Sequence, residues 1–89
     1  MRAVITVVGK DTVGILAKVS SLCAAHNVNV TDVTQSILQD LFVMVMLVDL
    51  SGIRSGYDVL ADELTALGNE MGLSIKMMHE DIFNSMHRI

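Results

Sequence analysis

The stretch LFVMVMLVDL, residues 41–50, is the most strand-like segment of the 89-residue chain. Its side chains are large or β-branched and apolar up to Asp49, which is typical of a β-strand. Because successive side chains of a strand point to opposite faces of a sheet, a strand that is apolar at every position must be covered on both faces. The rest of the chain therefore has to cover both sides of a sheet.

The segment that precedes this strand begins with a strand and a helix. Residues 3–8, AVITVV, are predicted to be the first strand, and the segment GKDTVG that follows breaks the pattern. From Ile15 the apolar residues recur at helical spacing, and this helix is expected to end near His26. We expect Asp11 or Thr12 to cap the helix, because each has a side-chain oxygen that can accept from exposed backbone N–H groups.

The next strand and its turn lead directly into residues 41–50. Residues 28–38 are predicted to form this second strand, with a bulge near Asp32, where the alternation slips. Gln39-Asp40 is the expected turn. Residues 51–55 then form a loop.

The second half repeats the helix–strand order and adds a tail. Residues 56–71 are predicted to be a helix, with Ser55 as its N-cap and Gly72 in the left-handed conformation after its end. Residues 73–78 form a fourth strand, and the tail over residues 80–89 has the apolar spacing of a short amphipathic helix. The order βαββαβ predicts an α+β fold of the ferredoxin-like type, a four-stranded antiparallel sheet with two helices on one face and a short C-terminal helical tail. We expect one domain over residues 1–79, and either the tail or a second copy of the chain to cover the open face of the sheet.

Composition limits the partners and the location of the chain. Apolar residues make up 52% of the sequence, more than one small core readily hides, so a homodimer or a higher homo-oligomer is expected. The net charge is −4, with six scattered Lys and Arg residues, which argues against direct binding of nucleic acid. No apolar run approaches the ~20 residues of a membrane span, and no leader pattern is present, so we expect no membrane contact and a cytoplasmic location. The single cysteine, Cys23, is expected to lie in the core.

Several function classes that use this fold lack their key residues here. Only Phe42 of the three aromatic residues lies on a predicted strand, so RNA recognition by stacked bases is not expected. The first loop has no cysteine pair for a metal chaperone, and only Lys10 where an acylphosphatase-like enzyme needs arginine. The three histidines, His26, His79 and His87, are candidate metal ligands together with Glu80 and Asp81 beside His79, but nothing in the sequence requires them to converge. No Ser-His-acid group with a positioned partner is recognisable. We therefore expect no metal, no cofactor and no catalysis.

The loop GKDTVG at residues 9–14 is the most informative feature for function. It opens a helix, where free N–H groups and the helix dipole favour an anion such as a carboxylate. Gly14 allows a close approach to the backbone, and Asp11 offers a negative group for an ammonium. Together these features describe a free α-amino acid. The alternative is that Gly14 serves helix–strand packing and that Asp11 is only a cap.

In this context the sequence resembles the ACT domain family. Asp11-x-x-Gly14-Ile15-Leu16 after an apolar strand is similar to the first-loop motif of the family, and Asn27-Val28-Asn29-Val30 is similar to the entry into its second strand. The tail resembles that of small stand-alone bacterial ACT proteins, which are similar to regulators related to the glycine-cleavage repressor. The resemblance covers approximately residues 1–78.

The resemblance implies a ligand bound between two ACT domains, and it adds site residues to those of the loop. In serine-binding members, an Asn of the first loop and an Asn at the start of the second strand contact the effector; these positions are Asp11 and Asn29 here. A family histidine of the loop is replaced by Gly9. The candidate ligand-binding residues are Asp11, Thr12, Val13, Gly14, Ile15 and Asn29.

The sequence thus predicts a non-catalytic regulatory module that binds a small ligand, an amino acid, at a homodimer interface and acts on a separate protein target. One alternative is an interaction or assembly protein of the same fold without a ligand. The other is a minor acyl-phosphate hydrolase that would depend on Lys10.

Overall fold

The computed structural model describes residues 1–86 and shows a four-stranded antiparallel sheet followed by a short C-terminal helix. In chain order the elements are β1 (Arg2–Lys10), α1 (Ile15–Ala25), β2 (Asn29–Leu38), β3 (Leu41–Asp49), α2 (Tyr57–Met71), β4 (Leu73–His79) and α3 (Glu80–Met86). The predicted βαββαβ order and ferredoxin-like fold are confirmed. The last part of the predicted tail, residues 87–89, lies outside the described residues.

The strands lie in the order β2-β3-β1-β4, so β1 and β3 are central and β2 and β4 form the edges. Ile5 of β1 is opposite Met46 of β3 and Met77 of β4. The predicted bulge is present, because the pairing of β2 with β3 shifts between Val30 and Asp32.

The core lies between the sheet and the two long helices. Alternation along β1 and β3 turns one side of each strand towards α1 and α2, and these side chains are fully buried together with apolar residues of both helices: Ala3, Ile5, Val7, Met44, Met46, Val48, Val19, Cys23, Leu60 and Leu64. Each large aliphatic side chain buried in this way stabilises the fold by about 1.5–3 kcal/mol. The expectation that Cys23 belongs to the core is confirmed.

Residues 1–86 cover the opposite face of the sheet at one end only. Val4 and Val8 both point to this face, yet Val4 is 3% exposed and Val8 is 38% exposed. The helix α3 contacts β1 and β4, and the Arg2 Nη2 donates to Glu80 Oε1 over 2.7 Å at the start of that helix. The position of α3 accounts for the burial of Val4, so the tail supplies part of the cover that the sequence requires.

The end of α2 follows the prediction, but its start does not. Gly72 has φ of 72° and ends the helix in the left-handed conformation, as expected. Ser55 is not the N-cap, because the N-cap is Gly56, with φ of 90°. With the helix starting one residue later, the Ser55 hydroxyl contacts His26 instead. None of the helices within residues 1–86 is long and apolar enough to cross a bilayer.

Candidate functional site

The first half of the predicted site is the loop between β1 and α1. Asp11, Thr12 and Val13 are exposed, Gly14 is half-buried, and Ile15 is buried in the core. The backbone N–H of Asp11 donates to the carbonyl of Asp40 over 3.2 Å. This bond ties the loop to the β2–β3 turn and brings all five loop residues of the prediction together at one end of the sheet.

The start of α1 is not capped by a side chain, and the expected cap at Asp11 or Thr12 is wrong. The N-cap is Gly14, whose φ of 86° lies in the left-handed region, and no side-chain hydrogen bond closes the helix end. Because this conformation places the helix start two to three residues after the expected caps, their side chains stay in solvent. The first-turn N–H groups of a helix have no partner within the helix, and no acidic residue lies in this first turn.

The space above Gly14 is open. A Cβ built at this glycine would have no atom of residues 1–86 within 4 Å beyond its chain neighbours. Gly14 is therefore needed for its backbone conformation and not for packing against another element. The open space leaves the helix N-terminus accessible to a small anion.

Asn29 lies at the other end of the sheet. It is the first residue of β2 and lies opposite Asp49, whereas the loop follows the last residue of β1. Since β2 runs in the same direction as β1, the length of β2 separates Asn29 from the loop, and ten residues at about 3.3 Å each give roughly 30 Å. One chain thus brings Asp11–Ile15 together but leaves Asn29 apart from them.

A small cavity lies beside Asn29. It has a volume of about 270 Å³ and is lined by Ala24, Asn27, Val28 and Asn29. Asn27, at φ of 59°, donates its side-chain amide to the Gly52 carbonyl over 2.8 Å, which fixes the turn that precedes β2. The cavity offers two amide side chains next to an apolar wall.

Near this second half, the structure shows a polar group that the sequence did not indicate. The His26 ring, which is buried, contacts the Ser55 hydroxyl through Nδ1 and the Glu63 carboxylate through Nε2. The His26 carbonyl also accepts from the backbone N–H of Arg54 over 3.1 Å. These contacts join the end of α1 to the start of α2. No spacing signal marks them, because the three side chains come from separate elements, and a Ser-His-acid group was not expected.

A larger groove runs between the two long helices. It has a volume of about 640 Å³ and is lined mostly by alanine and leucine side chains, together with Lys18 of α1 and Glu63 and Glu70 of α2. None of the predicted ligand-binding residues lines it. Within residues 1–86 no group of three His, Cys, Asp or Glu side chains converges as a metal site would require.

Three comparisons with known proteins agree with this architecture. The family model of the ACT domain matches residues 2–78. A UPF0237 protein of Methanopyrus kandleri is 48% identical over 88 residues, which are 99% of this chain and 98% of that protein. The solved structure of an ACT domain protein from Streptococcus pneumoniae superimposes with a TM-score of 0.79 at 36% identity and covers 93% of both chains. A protein assigned as a glycine cleavage system transcriptional repressor gives a TM-score of 0.70 at 26% identity, over 86% of this chain and 44% of that one.

Proposed function

The chain belongs to the ACT domain family, a family of regulatory ligand-binding modules, and on this premise we propose that it is a non-catalytic sensor that binds a free amino acid between two copies of itself. The observation that supports this proposal most is the separation of the two halves of the site within one chain. A loop that suits an α-amino acid and an asparagine beside a small cavity lie at opposite ends of the sheet. A second copy is the simplest way to bring them together.

The edge strand β2 gives the second copy a place to bind. None of its ten residues is buried, and an exposed edge presents unpaired N–H and C=O groups that can pair with another strand. If two β2 strands pair antiparallel about a two-fold axis, Asn29 of one copy comes to lie beside Leu38 of the other. Leu38 leads into the turn that holds Asp11 through Asp40. The same pairing would cover Ile37 and Leu38, which are 57% and 70% exposed in one chain.

The chemistry of the combined site matches an amino acid. The uncapped start of α1, with Gly14 at its end, would hold the carboxylate, and the exposed Asp11 carboxylate would hold the ammonium. Thr12 and Val13 lie beside these groups, Ile15 would contribute its backbone N–H because its side chain is buried in the core, and Asn29 of the second copy would donate to or accept from the ligand. Two such sites form per dimer, because the pairing is symmetric.

The ligand would act by favouring one arrangement of the two copies over another. Only a difference in ligand affinity between the two arrangements can carry a signal. The predicted partner, a separate protein, would respond to the arrangement that the ligand favours. The proposal places the sensor in the cytoplasm, in keeping with a free buried thiol at Cys23 and a reducing compartment.

A thermal-shift screen against each of the twenty amino acids, followed by calorimetric titration of the positives, tests the proposal. A specific ligand at 100 times its Kd is expected to add about 2.7 kcal/mol to the free energy of unfolding. The Asp11→Ala variant is expected to lose this gain and to keep the pairing of two copies through β2. If no amino acid stabilises the protein, the ligand proposal is wrong and the chain acts through assembly alone.

A further inference from the structure

The sheet face opposite α1 and α2 has an apolar centre and a polar rim. On the central strands this face carries Val8, Val43, Val45 and Leu47, with Thr6 among them. The edge strands add polar side chains on both sides: Asp32, Thr34, Ser36, Ser74 and Lys76. An apolar centre within a polar rim is the usual anatomy of a protein–protein interface.

Within the part of a single chain that the structure describes, one end of this face is closed and the other is not. Val4 and Val8 lie on the same strand and the same face, four residues apart, and are 3% and 38% exposed. The short helix α3 contacts β1 and β4 and begins where Glu80 meets Arg2, beside Val4. The Val8 end of β1 has no such cover among the described residues.

The helix α3 itself presents apolar side chains to solvent. Ile82 and Met86 are 54% and 65% exposed, and a spacing of four residues places them on the same side of the helix. Phe83, on another side, is half-buried. One broad side of the molecule thus combines an open apolar sheet end with an exposed apolar helix side.

We propose that a second copy of the chain covers this side, with α3 of each copy lying over the Val8 end of the other copy's sheet. A half-turn about an axis that lies between the two sheets, parallel to both and perpendicular to their strands, reverses the strand direction. It keeps β1 and β4 over their counterparts and carries α3 from the closed end of one copy to the open end of the other. Such an interface uses the same patch twice and closes on itself.

Charge and size agree with this arrangement. The start of α3 is acidic, and Asp81 is 87% exposed at its side chain, whereas Lys10 ends β1 at the open end and Lys76 lies halfway along β4, opposite Thr6. The half-turn brings Asp81 to the end that carries Lys10, where Asp11 and Asp40 also lie. The molecule measures 36 × 33 × 19 Å. The projection of its broad side, taken as an ellipse, is roughly 900 Å², and a standard interface buries about 800 Å² of accessible surface per partner.

The proposed interface leaves the β2 edge free, so it does not depend on the amino-acid site. With both interfaces the particle contains four chains, and with this one alone it contains two. In either case, the loss of the broad-side interface halves the particle mass.

The substitution Val8→Lys tests this interface, with sedimentation equilibrium at micromolar concentration as the measurement. Val8 is partly exposed, so the chain can fold with a lysine there, and the charge would lie in the apolar centre of the contact. We expect half the wild-type mass. The matched control is Val59→Lys, which makes the same change at a valine that is 47% exposed on α2, and we expect it to keep the wild-type mass.

A second variant, Ile82→Lys, tests the other half of the same contact. It should halve the mass as Val8→Lys does, while the circular dichroism of both variants stays that of the folded chain. The proposal is overturned if the wild-type protein is monomeric, if Val8→Lys keeps the wild-type mass, or if Ile82→Lys keeps it while Val8→Lys does not.

Discussion

Gly68 of α2 lies so close to Leu73 of β4 that a Cβ added to the glycine would stand 2.6 Å from the Leu73 carbonyl oxygen. Real Cβ atoms do not approach a backbone oxygen this closely, so the contact exists only because residue 68 has no side chain. Gly68 is buried, and it lies three residues before Met71, the last residue of α2. The close approach explains why a residue of low helix propensity lies inside α2.

The first prediction is that Gly68→Ala destabilises the protein by about 1–3 kcal/mol, because helix and strand must move apart. The helix propensity of alanine, about 1 kcal/mol better than that of glycine, acts in the opposite direction. Urea unfolding measures the net result. Asn69→Ala, at the next and exposed position, is the control and should change the stability by less than about 0.5 kcal/mol. A Gly68→Ala variant as stable as the wild type would contradict the close packing of α2 on β4.

The second prediction concerns the buried ring of His26. Its Nε2 contacts the Glu63 carboxylate, and its Nδ1 contacts the Ser55 hydroxyl. Truncation of the ring leaves a cavity and removes the polar link between α1 and α2. We expect His26→Ala to lower the free energy of unfolding by about 2–4 kcal/mol.

Two further variants distinguish the effect of the His26 contacts from the effect of removing any histidine. Glu63→Gln keeps an acceptor on a half-exposed side chain, so it should cost less than about 1 kcal/mol. His79→Ala, at a half-exposed ring next to Asp81, should cost about as little. Equal losses in His26→Ala and His79→Ala would show that the contacts of His26 do not stabilise the fold.

The third prediction concerns the thiol of Cys23. Burial raises the pKa of Cys23 from the ordinary 9.0 to about 11. At pH 8 the thiolate is therefore about 100-fold scarcer than in an exposed cysteine, and a thiol reagent should label the native protein correspondingly slowly. Labelling in urea is the control and should be fast. Rapid stoichiometric labelling without denaturant would contradict the burial of this side chain.

The raised pKa of Cys23 also determines how the stability of the protein changes with pH. The folded-state pKa of Cys23 lies above that of the unfolded chain, so the unfolded chain releases this proton first. The thiol's contribution to stability is complete below pH 9 and is lost as the pH rises towards 11. Cys23→Ala should flatten the fall in stability over this range, which urea titrations at several pH values can measure.

The sequence allowed most of the fold to be predicted, because periodicity reports which side of an element is buried. The bulge near Asp32 was visible as a slip in the alternation, and the turn at Gly72 as a glycine after an apolar stripe. The start of α1 at Ile15 follows the prediction, but both predicted N-caps are wrong. At each helix start a polar residue that suits a cap precedes a glycine, and φ at Gly14 and Gly56 decides which residue caps the helix. Sequence spacing does not report that angle.

Only the loop half of the candidate site could be predicted from the sequence. The loop residues are consecutive, so their proximity follows from the chain itself. The distance of Asn29 from the loop depends on strand direction and length, which place the two at opposite ends of the sheet. The group formed by Ser55, His26 and Glu63 could not be predicted, because three elements have to be in place before these side chains meet.

The last prediction tests the division of the site between two copies. Asp11→Ala removes the loop half and Asn29→Ala removes the strand half, so neither variant alone should bind the amino acid found in the screen. When the two variants are mixed and allowed to exchange, each mixed dimer joins the intact loop of one chain to the intact Asn29 of the other. Half of the dimers are mixed and each has one intact site of two, so calorimetry should find about a quarter of the wild-type binding stoichiometry. Binding by either variant alone would show that one chain holds the complete site, and a mixture that does not bind, although exchange is demonstrated, would show that the two residues do not share one.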